Sequence, residues 1–317
     1  MSFLVAMQRV AARLRAATSP PTKPNFDYIS PIFSVKRQGS CMDGTRVWIY
    51  TPEVTKSDTP DVIVYLHGHG ATNPATYEGH IEHLVKQGNY VVYPQMQDRS
   101  CERFLGTPVG WILQLTRRPS PAKWVKVTAQ VVTDVLNELP PFGKVFLYGN
   151  SMGGAFAMMW GSLDTVHPVE AAVVVSPQPA GLHAIPGILP KFVFLRLGED
   201  VNVPEAAPNT TFPVVVLHGD KDDVVSVGNV LPSYELLGST SKSWYQAKTD
   251  KHGKPPLKAN HLQAAARRRE CQQDSLDWRF TWSALDQVMN GTSVTELVFD
   301  MGEWSDGTPV KSIVRLY

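Results

Sequence analysis

The sequence predicts an α/β architecture, a mostly parallel central sheet with helices on both faces, and three observations predict it. From residue 45 onward, short β-rich runs alternate with helical stretches. Two of these runs, residues 171–175 and 214–217, are apolar without interruption, as strands buried on both faces are. Residues 144–154, Lys-Val-Phe-Leu-Tyr-Gly-Asn-Ser-Met-Gly-Gly, carry an apolar strand into Gly149-x-Ser151-x-Gly153 and on into a helix. In that context a sharp turn forces strained backbone angles on the serine, and the flanking glycines let strand and helix pass close together.

The elements follow in order. Residues 46–50 (Arg-Val-Trp-Ile-Tyr) and 62–66 (Val-Ile-Val-Tyr-Leu) read as strands, 74–87 as a helix and 90–93 as the next strand. Residues 121–139 form an amphipathic helix, with Trp124, Val125, Val131, Val132, Val135 and Leu136 at helical spacing. Thr128 fills the remaining place in that stripe. The strand at 144–148 leads into the Ser151 turn, and 171–175 and 214–217 are strands. Residues 243–247 are the expected last core strand and 275–289 a closing helix. Beyond it, 295–299 and 311–316 flank Trp304-Ser-Asp-Gly-Thr-Pro309, read as a hairpin that turns at Asp306-Gly307 and extends a sheet edge. The stretch between Pro177 and Phe212 is short and rich in loop formers, so little or no lid is expected.

Composition sets bounds. The chain has 317 residues, 43% hydrophobic and 19% charged, which suits a globular enzyme and excludes wholesale disorder. A net charge of +1 offers no global field for nucleic acid or an acidic membrane. No apolar run approaches the roughly 20 residues that span a bilayer. Cys41, Cys101 and Cys271 are widely spaced and odd in number, neither a disulfide framework nor a C-x-x-C pair, so reduced thiols are expected.

The first residues differ from the rest. Residues 1–18 are helical in pattern, carry Arg9, Arg13 and Arg15, and precede the first acidic residue, Asp27. The segment reads as a helix resting on the domain, with a mitochondrial-type presequence or an interfacial helix in weak membrane contact as alternatives. It makes a poor secretory signal, because its arginines follow a short apolar stretch. Ser19-Pro-Pro-Thr-Lys-Pro24 then breaks the helix, which divides the chain into an N-terminal segment, 1–26, and a catalytic domain, 27–317. A cytoplasmic location is expected, with mitochondrial or membrane-peripheral ones left open by the basic helix.

The chemistry lies in four places. Acyl transfer by serine needs a nucleophile, a base, an acid to orient the base, and donors for the oxyanion. Ser151 is the candidate nucleophile. The acid candidates lie in His218-Gly-Asp-Lys-Asp-Asp-Val-Val225, after a buried strand, where open α/β sheets place functional residues. Of Asp220, Asp222 and Asp223, the pattern G-D-x-D-x-V favours Asp222, with turn chemistry assigned to the other two. The base comes later in the chain, from His252 or His261; His261, in Lys-Ala-Asn-His-Leu-Gln, is preferred and His252 reads as a turn residue. The oxyanion donors are expected to be the backbone N–H groups of Met152, at a helix N-terminus, and of His69, in His67-Gly68-His69-Gly70.

Other features take plainer readings. His67 and His69 share a side of an extended segment but lack partners at ligand spacing, so no metal is expected. His80 and His83 read as surface or packing histidines, and Arg267–Glu270 as a solvated helix face. The sequons at Asn209 and Asn290 read as chance occurrences.

His67-Gly-His-Gly, Gly149-x-Ser-x-Gly153, His218-Gly-Asp-Lys-Asp222 and Asn260-His261, in that order, resemble the α/β-hydrolase superfamily over residues 30–290. Gly-Asn-Ser-Met-Gly-Gly154 and the short lid region resemble its dienelactone-hydrolase, cutinase and short-chain esterase neighbourhood. The resemblance implies a triad of Ser151, Asp222 and His261, with the His69 and Met152 amides as oxyanion hole. Asn150 and Asn260 depart from the residues common among relatives at those positions, without removing a catalytic group. A serine esterase acting on a small acyl ester, thioester or lactone is the expected function, with no cofactor and no nucleic-acid partner. A catalytically silent binding module of the same fold is the alternative.

Overall fold

The computed structural model describes residues 18–98, 121–179, 201–265 and 273–317. Nine strands join in one sheet, in the order β1-β2-β4-β3-β5-β6-β7-β8-β9. They are β1 (Phe33–Gln38), β2 (Val47–Pro52), β3 (Val62–Leu66), β4 (Tyr90–Pro94), β5 (Val145–Asn150), β6 (Val169–Val175), β7 (Val214–Gly219), β8 (Lys242–Ala247) and β9 (Val314–Arg315). All pairs from β4 across to β8 are parallel, and β1, β2 and β9 add antiparallel edges. The helices are α1 (Glu78–Lys86), α2 (Pro121–Glu138), α3 (Met152–Met158), α4 (Val203–Ala206), α5 (Val227–Glu235) and α6 (Trp282–Met289). This mostly parallel sheet with helices on both faces is the α/β-hydrolase architecture.

The central strands are apolar on both faces because both faces are covered. Along β3, Val62, Val64 and Leu66 point into a core with α2 and α3, while Ile63 and Tyr65 point into a second core with α1 and α6. Each of those five side chains is 0% exposed. Burying one such side chain contributes about 1.5–3 kcal/mol. Thr128 belongs to the α2 stripe: it is fully buried and its hydroxyl donates to the Trp124 carbonyl at 2.7 Å.

Several elements differ from the sequence expectation. The helix expected from residue 74 opens as a separate 3₁₀ turn, Pro74–Thr76, capped by the Asn73 side chain, which accepts from the Ala75 N–H. The closing helix contains a π turn at Asp277–Thr281. It starts with reciprocal caps: Asp274 accepts from the Leu276 N–H, and Asp277 accepts from the Asp274 N–H. β1 was not expected, because its residues are mostly exposed and it adds only to an edge, where Lys36 and Arg37 discourage further pairing.

At the C-terminus the tight turn forms, with Gly307 at φ 82° and its N–H donating to the Trp304 carbonyl at 2.8 Å. Residues 295–299 are not a strand, and the pairing across the turn is limited to the isolated Glu303–Pro309 bridge. Proline lacks the N–H a longer ladder would need. The edge extension is β9, antiparallel to β8.

Cys41 corrects the reading of reduced thiols: it is disulfide-bonded, its partner lying outside the described residues. Spacing in sequence could not show a pairing that depends on the fold. Residues 18–26 pack on the main body. The Ser19 and Ser305 backbones are linked, and Lys23 lies over the Trp282 ring at 5.1 Å. The helix expected at 1–18 lies, but for Thr18, outside the described residues, as do Arg267–Glu270 and most of the stretch expected to replace a lid. No helix among the described residues is long and apolar enough to cross a membrane.

Candidate active site

The site forms at the carboxyl ends of β3, β5, β6 and β7. Strand β5 ends at Asn150, and Ser151 turns the chain into α3 with φ 52° and ψ −114°. Left-handed φ is unfavourable for a serine and must be held by its surroundings. The hold is visible: the Ser151 N–H donates to the Val175 carbonyl at 2.9 Å, and its carbonyl accepts from Gln178 and Ala155. The flanking glycines are required by contact. A Cβ on Gly149 would lie 2.5 Å from the Gly153 carbonyl oxygen, and one on Gly153 would lie 2.1 Å from that of Leu66.

Three side chains expected to act together are brought together. His261 Nε2 lies 3.0 Å from Ser151 Oγ, and His261 Nδ1 lies 2.9 and 3.1 Å from the two Asp222 oxygens. Asp222 also accepts from the N–H groups of Val224 and Val225, at 3.0 and 2.8 Å. Burial by itself would raise the Asp222 carboxyl. The bond and charge of His261, the Val225 N–H and the Ser176 hydroxyl outweigh it and hold the group below the ordinary carboxylate range. Asp222 thus stays ionised and acts only as acceptor, which assigns the Nδ1 proton to its side and leaves Nε2 as the acceptor facing Ser151.

The competing residues lie elsewhere. Asp220 accepts from the Thr249 N–H at 2.8 Å, and Asp223 is exposed. His252 pairs with Asp306 at 2.9 Å in the C-terminal turn, with its side chain 38% exposed. His67 and His69 do not converge. His67 is fully buried, with its ring nitrogens at 2.7 and 2.6 Å from the Gly68 and Gln95 carbonyls, and burial pushes its pKa down to about 4. His69 is exposed, 6.1 Å from the Trp124 ring. Desolvation nonetheless lowers its imidazole pKa.

Of the two amides expected to serve as oxyanion donors, that of Met152 follows Ser151 directly in the chain, and that of His69 belongs to the residue after Gly68, which packs against Ser151. Met152 is the first residue of α3, where free N–H groups and the helix dipole favour negative charge. His69 follows Gly68, whose Cβ, if present, would lie 3.4 Å from Ser151 Cβ. Neither N–H has a hydrogen-bond partner among the described residues. Gly153 donates to the His67 carbonyl at 3.0 Å and so ties the serine turn to the His69 loop.

Sequence reasoning missed the supports of this site. Ser176, with φ 46°, donates its amide to the Leu217 carbonyl at 2.8 Å, and its hydroxyl helps hold the Asp222 carboxyl low. His218 lies 3.5 Å from Asp222, and its Nε2 faces the Val225 carbonyl at 2.8 Å. Tyr77 and Asn150 link the two loops behind the amides. His218 stood within a motif already singled out; Ser176 and Tyr77 carry no local signal.

No family model matches the chain, and no curated protein matches it. Solved structures do. A protein from Klebsiella pneumoniae, provisionally assigned as a dienelactone hydrolase, aligns at a TM-score of 0.55 and 14% identity, over 80% of this chain and 97% of that one. Est1E from Butyrivibrio proteoclasticus aligns at 0.46 and 16% identity, over 72% and 90% of the two chains. A structure from work on the metagenome-derived lipolytic enzymes LipS and LipT aligns at 0.48 and 14% identity, over 73% and 95%. The first of these likenesses carries the fold.

Proposed function

We propose that this α/β-hydrolase-fold chain is a serine hydrolase that cleaves carboxylic esters through an acyl-enzyme. The observation that carries the reading is the 3.0 Å contact between His261 Nε2 and Ser151 Oγ, with Asp222 on the other ring nitrogen. Ser151 Oγ attacks the acyl carbonyl while His261 Nε2 takes its proton, and the new C–O bond leaves the carbonyl oxygen negative. The His69 and Met152 amides receive that oxygen. They are fixed before charge develops, so they stabilise the tetrahedral state without reorganising. As it collapses, His261 returns the proton to the departing alcohol. Water then repeats the sequence, and the acid and free Ser151 result. Asp222 stabilises the imidazolium and fixes its tautomer without taking the proton.

The same chemistry opens thioesters and lactones, and the likeness to the dienelactone-hydrolase structure supports placing small acyl substrates first. The test is turnover of p-nitrophenyl esters of increasing acyl length by the protein and by Ser151→Ala. The variant is expected to lose activity by about 10³-fold or more. Full activity in the variant would refute the serine mechanism, and a folded protein inert to every ester would favour a binding module.

A further inference from the structure

We infer that Tyr77 is a positioning residue for the oxyanion hole: its phenolic oxygen joins the loop that carries the His69 amide to the strand end that carries Ser151. The inference rests on the serine-hydrolase reading and names a part that neither the motifs nor the fold supply.

Tyr77 sits between the Pro74–Thr76 turn and α1, more than seventy residues from the nucleophile in sequence, and is 2% exposed. Its hydroxyl accepts from the Gly68 N–H at 3.0 Å and donates to Asn150 Oδ1 at 2.8 Å. The direction of each bond is fixed. A backbone N–H can only donate, so the Tyr77 oxygen is the acceptor there, and its single proton goes to Asn150 Oδ1. Asn150 Nδ2 in turn donates to the Val175 carbonyl at 3.2 Å, which orients Oδ1 towards Tyr77. Val175 is the residue whose carbonyl also holds the Ser151 N–H. The chain of bonds therefore runs from Gly68 through Tyr77 and Asn150 to Val175. It starts one residue before one proposed oxyanion amide and passes through the residue before the nucleophile.

Packing leaves this junction little freedom. A Cβ on Gly68 would meet Asn150 Oδ1 at 3.1 Å, the Tyr77 hydroxyl at 3.2 Å and Ser151 Cβ at 3.4 Å. The three groups thus crowd one point of backbone. The Tyr77 ring is wedged among other tyrosines, 5.3 Å from Tyr65 and 6.4 Å from Tyr93 between centroids, so its hydroxyl cannot swing away. Removing that hydroxyl leaves the buried Gly68 N–H without its acceptor, and such a group moves to find another. The His69 amide moves with it. Displacement of one oxyanion donor weakens the transition state and hardly touches the bound ester, whose carbonyl is not yet charged.

The test is Tyr77→Phe, which keeps the ring. Its kcat on a p-nitrophenyl ester is expected to fall about 10- to 100-fold with KM within about twofold. Its affinity for a boronic acid that forms a tetrahedral adduct with Ser151 should weaken by a similar factor, with affinity for the carboxylic acid product kept. Asn150→Ala should show the same split, and the double variant should lose little more than either single one. A rise in KM with kcat preserved, or unchanged boronate affinity, would overturn the inference and leave Tyr77 a packing residue. If Tyr77→Phe does not fold, the Asn150→Ala split decides alone. Should Ser151→Ala retain activity, the serine-hydrolase reading fails; should it be inert while Tyr77→Phe and Asn150→Ala match the parent, only this inference fails.

Discussion

Among the described residues, two constellations of hydroxyl, histidine and carboxylate have nearly the same distances at the histidine, with the two ring nitrogens exchanged. At the sheet's carboxyl edge, His261 lies 3.0 Å from Ser151 and 2.9 and 3.1 Å from the Asp222 oxygens. Between α1 and α6, His83 lies 3.0 Å from the Tyr28 hydroxyl and 2.9 and 3.1 Å from the Asp286 oxygens. Everything around these rings differs. His83 is 1% exposed, boxed by Phe26 at 4.5 Å and stacked on Trp282 at 5.0 Å, and burial raises the Tyr28 hydroxyl to about 12. Ser151 stands on a left-handed turn at a helix N-terminus, beside amides with no hydrogen-bond partner among the described residues. Three side chains in line do not make a nucleophile. On the proposed reading, the strained turn and the amides beside it are what the nucleophile adds.

The comparison can be broken most sharply by deleting each hydroxyl. Ser151→Ala should cost about 10³-fold or more in kcat, whereas Tyr28→Phe should leave kcat on the same ester within about twofold. Exchanging the carboxylates comes next. Asp222→Asn should lower kcat by about 10³- to 10⁴-fold by disturbing the histidine tautomer, and Asp286→Asn should not lower it. Stopped assays at saturating ester read both. Equal losses at the two sites would mean that the difference in surroundings has no consequence.

The smaller effects concern stability. Tyr28→Phe should cost about 0.5–1.5 kcal/mol by urea titration, the net value of one hydrogen bond. The buried carboxyls at the start of the closing helix predict a pH effect of opposite character to that at Asp222. Burial raises Asp274 from 3.8 to about 6 and also holds Asp277 well above the ordinary carboxylate range. In the unfolded chain both ionise near pH 4, so the contribution of each is present below that and is lost as pH rises through its folded value, about 6 for Asp274. Asp277→Asn, which can still accept from the Asp274 N–H, should therefore stabilise the protein at pH 8 more than at pH 4. Thermal unfolding at the two pH values measures it, and equal shifts would contradict the assignment.

Much of this was legible in the sequence, for physical reasons. Residues 62–66, 171–175 and 214–217 are uninterrupted apolar runs because both faces are covered, and the Ser151 turn announces itself by glycines that contact makes obligatory. His261 and Asp222 could be singled out because they follow core strands. His80 and His83 were readable only as surface or packing residues; they proved buried, His80 stacked on Trp282 at 5.2 Å. What the sequence hid depends on long-range contact. Strand β1 carries exposed and charged residues that an edge tolerates, and the Tyr77 strut and the Cys41 disulfide join positions with no common spacing.

The most direct test is to treat the protein with a fluorophosphonate and locate the adduct by peptide mass spectrometry. The account predicts one phosphonyl group per chain, on Ser151, none on Tyr28, and ester turnover abolished in proportion to labelling. Labelling at Tyr28, or full turnover by protein carrying the adduct at Ser151, would contradict it.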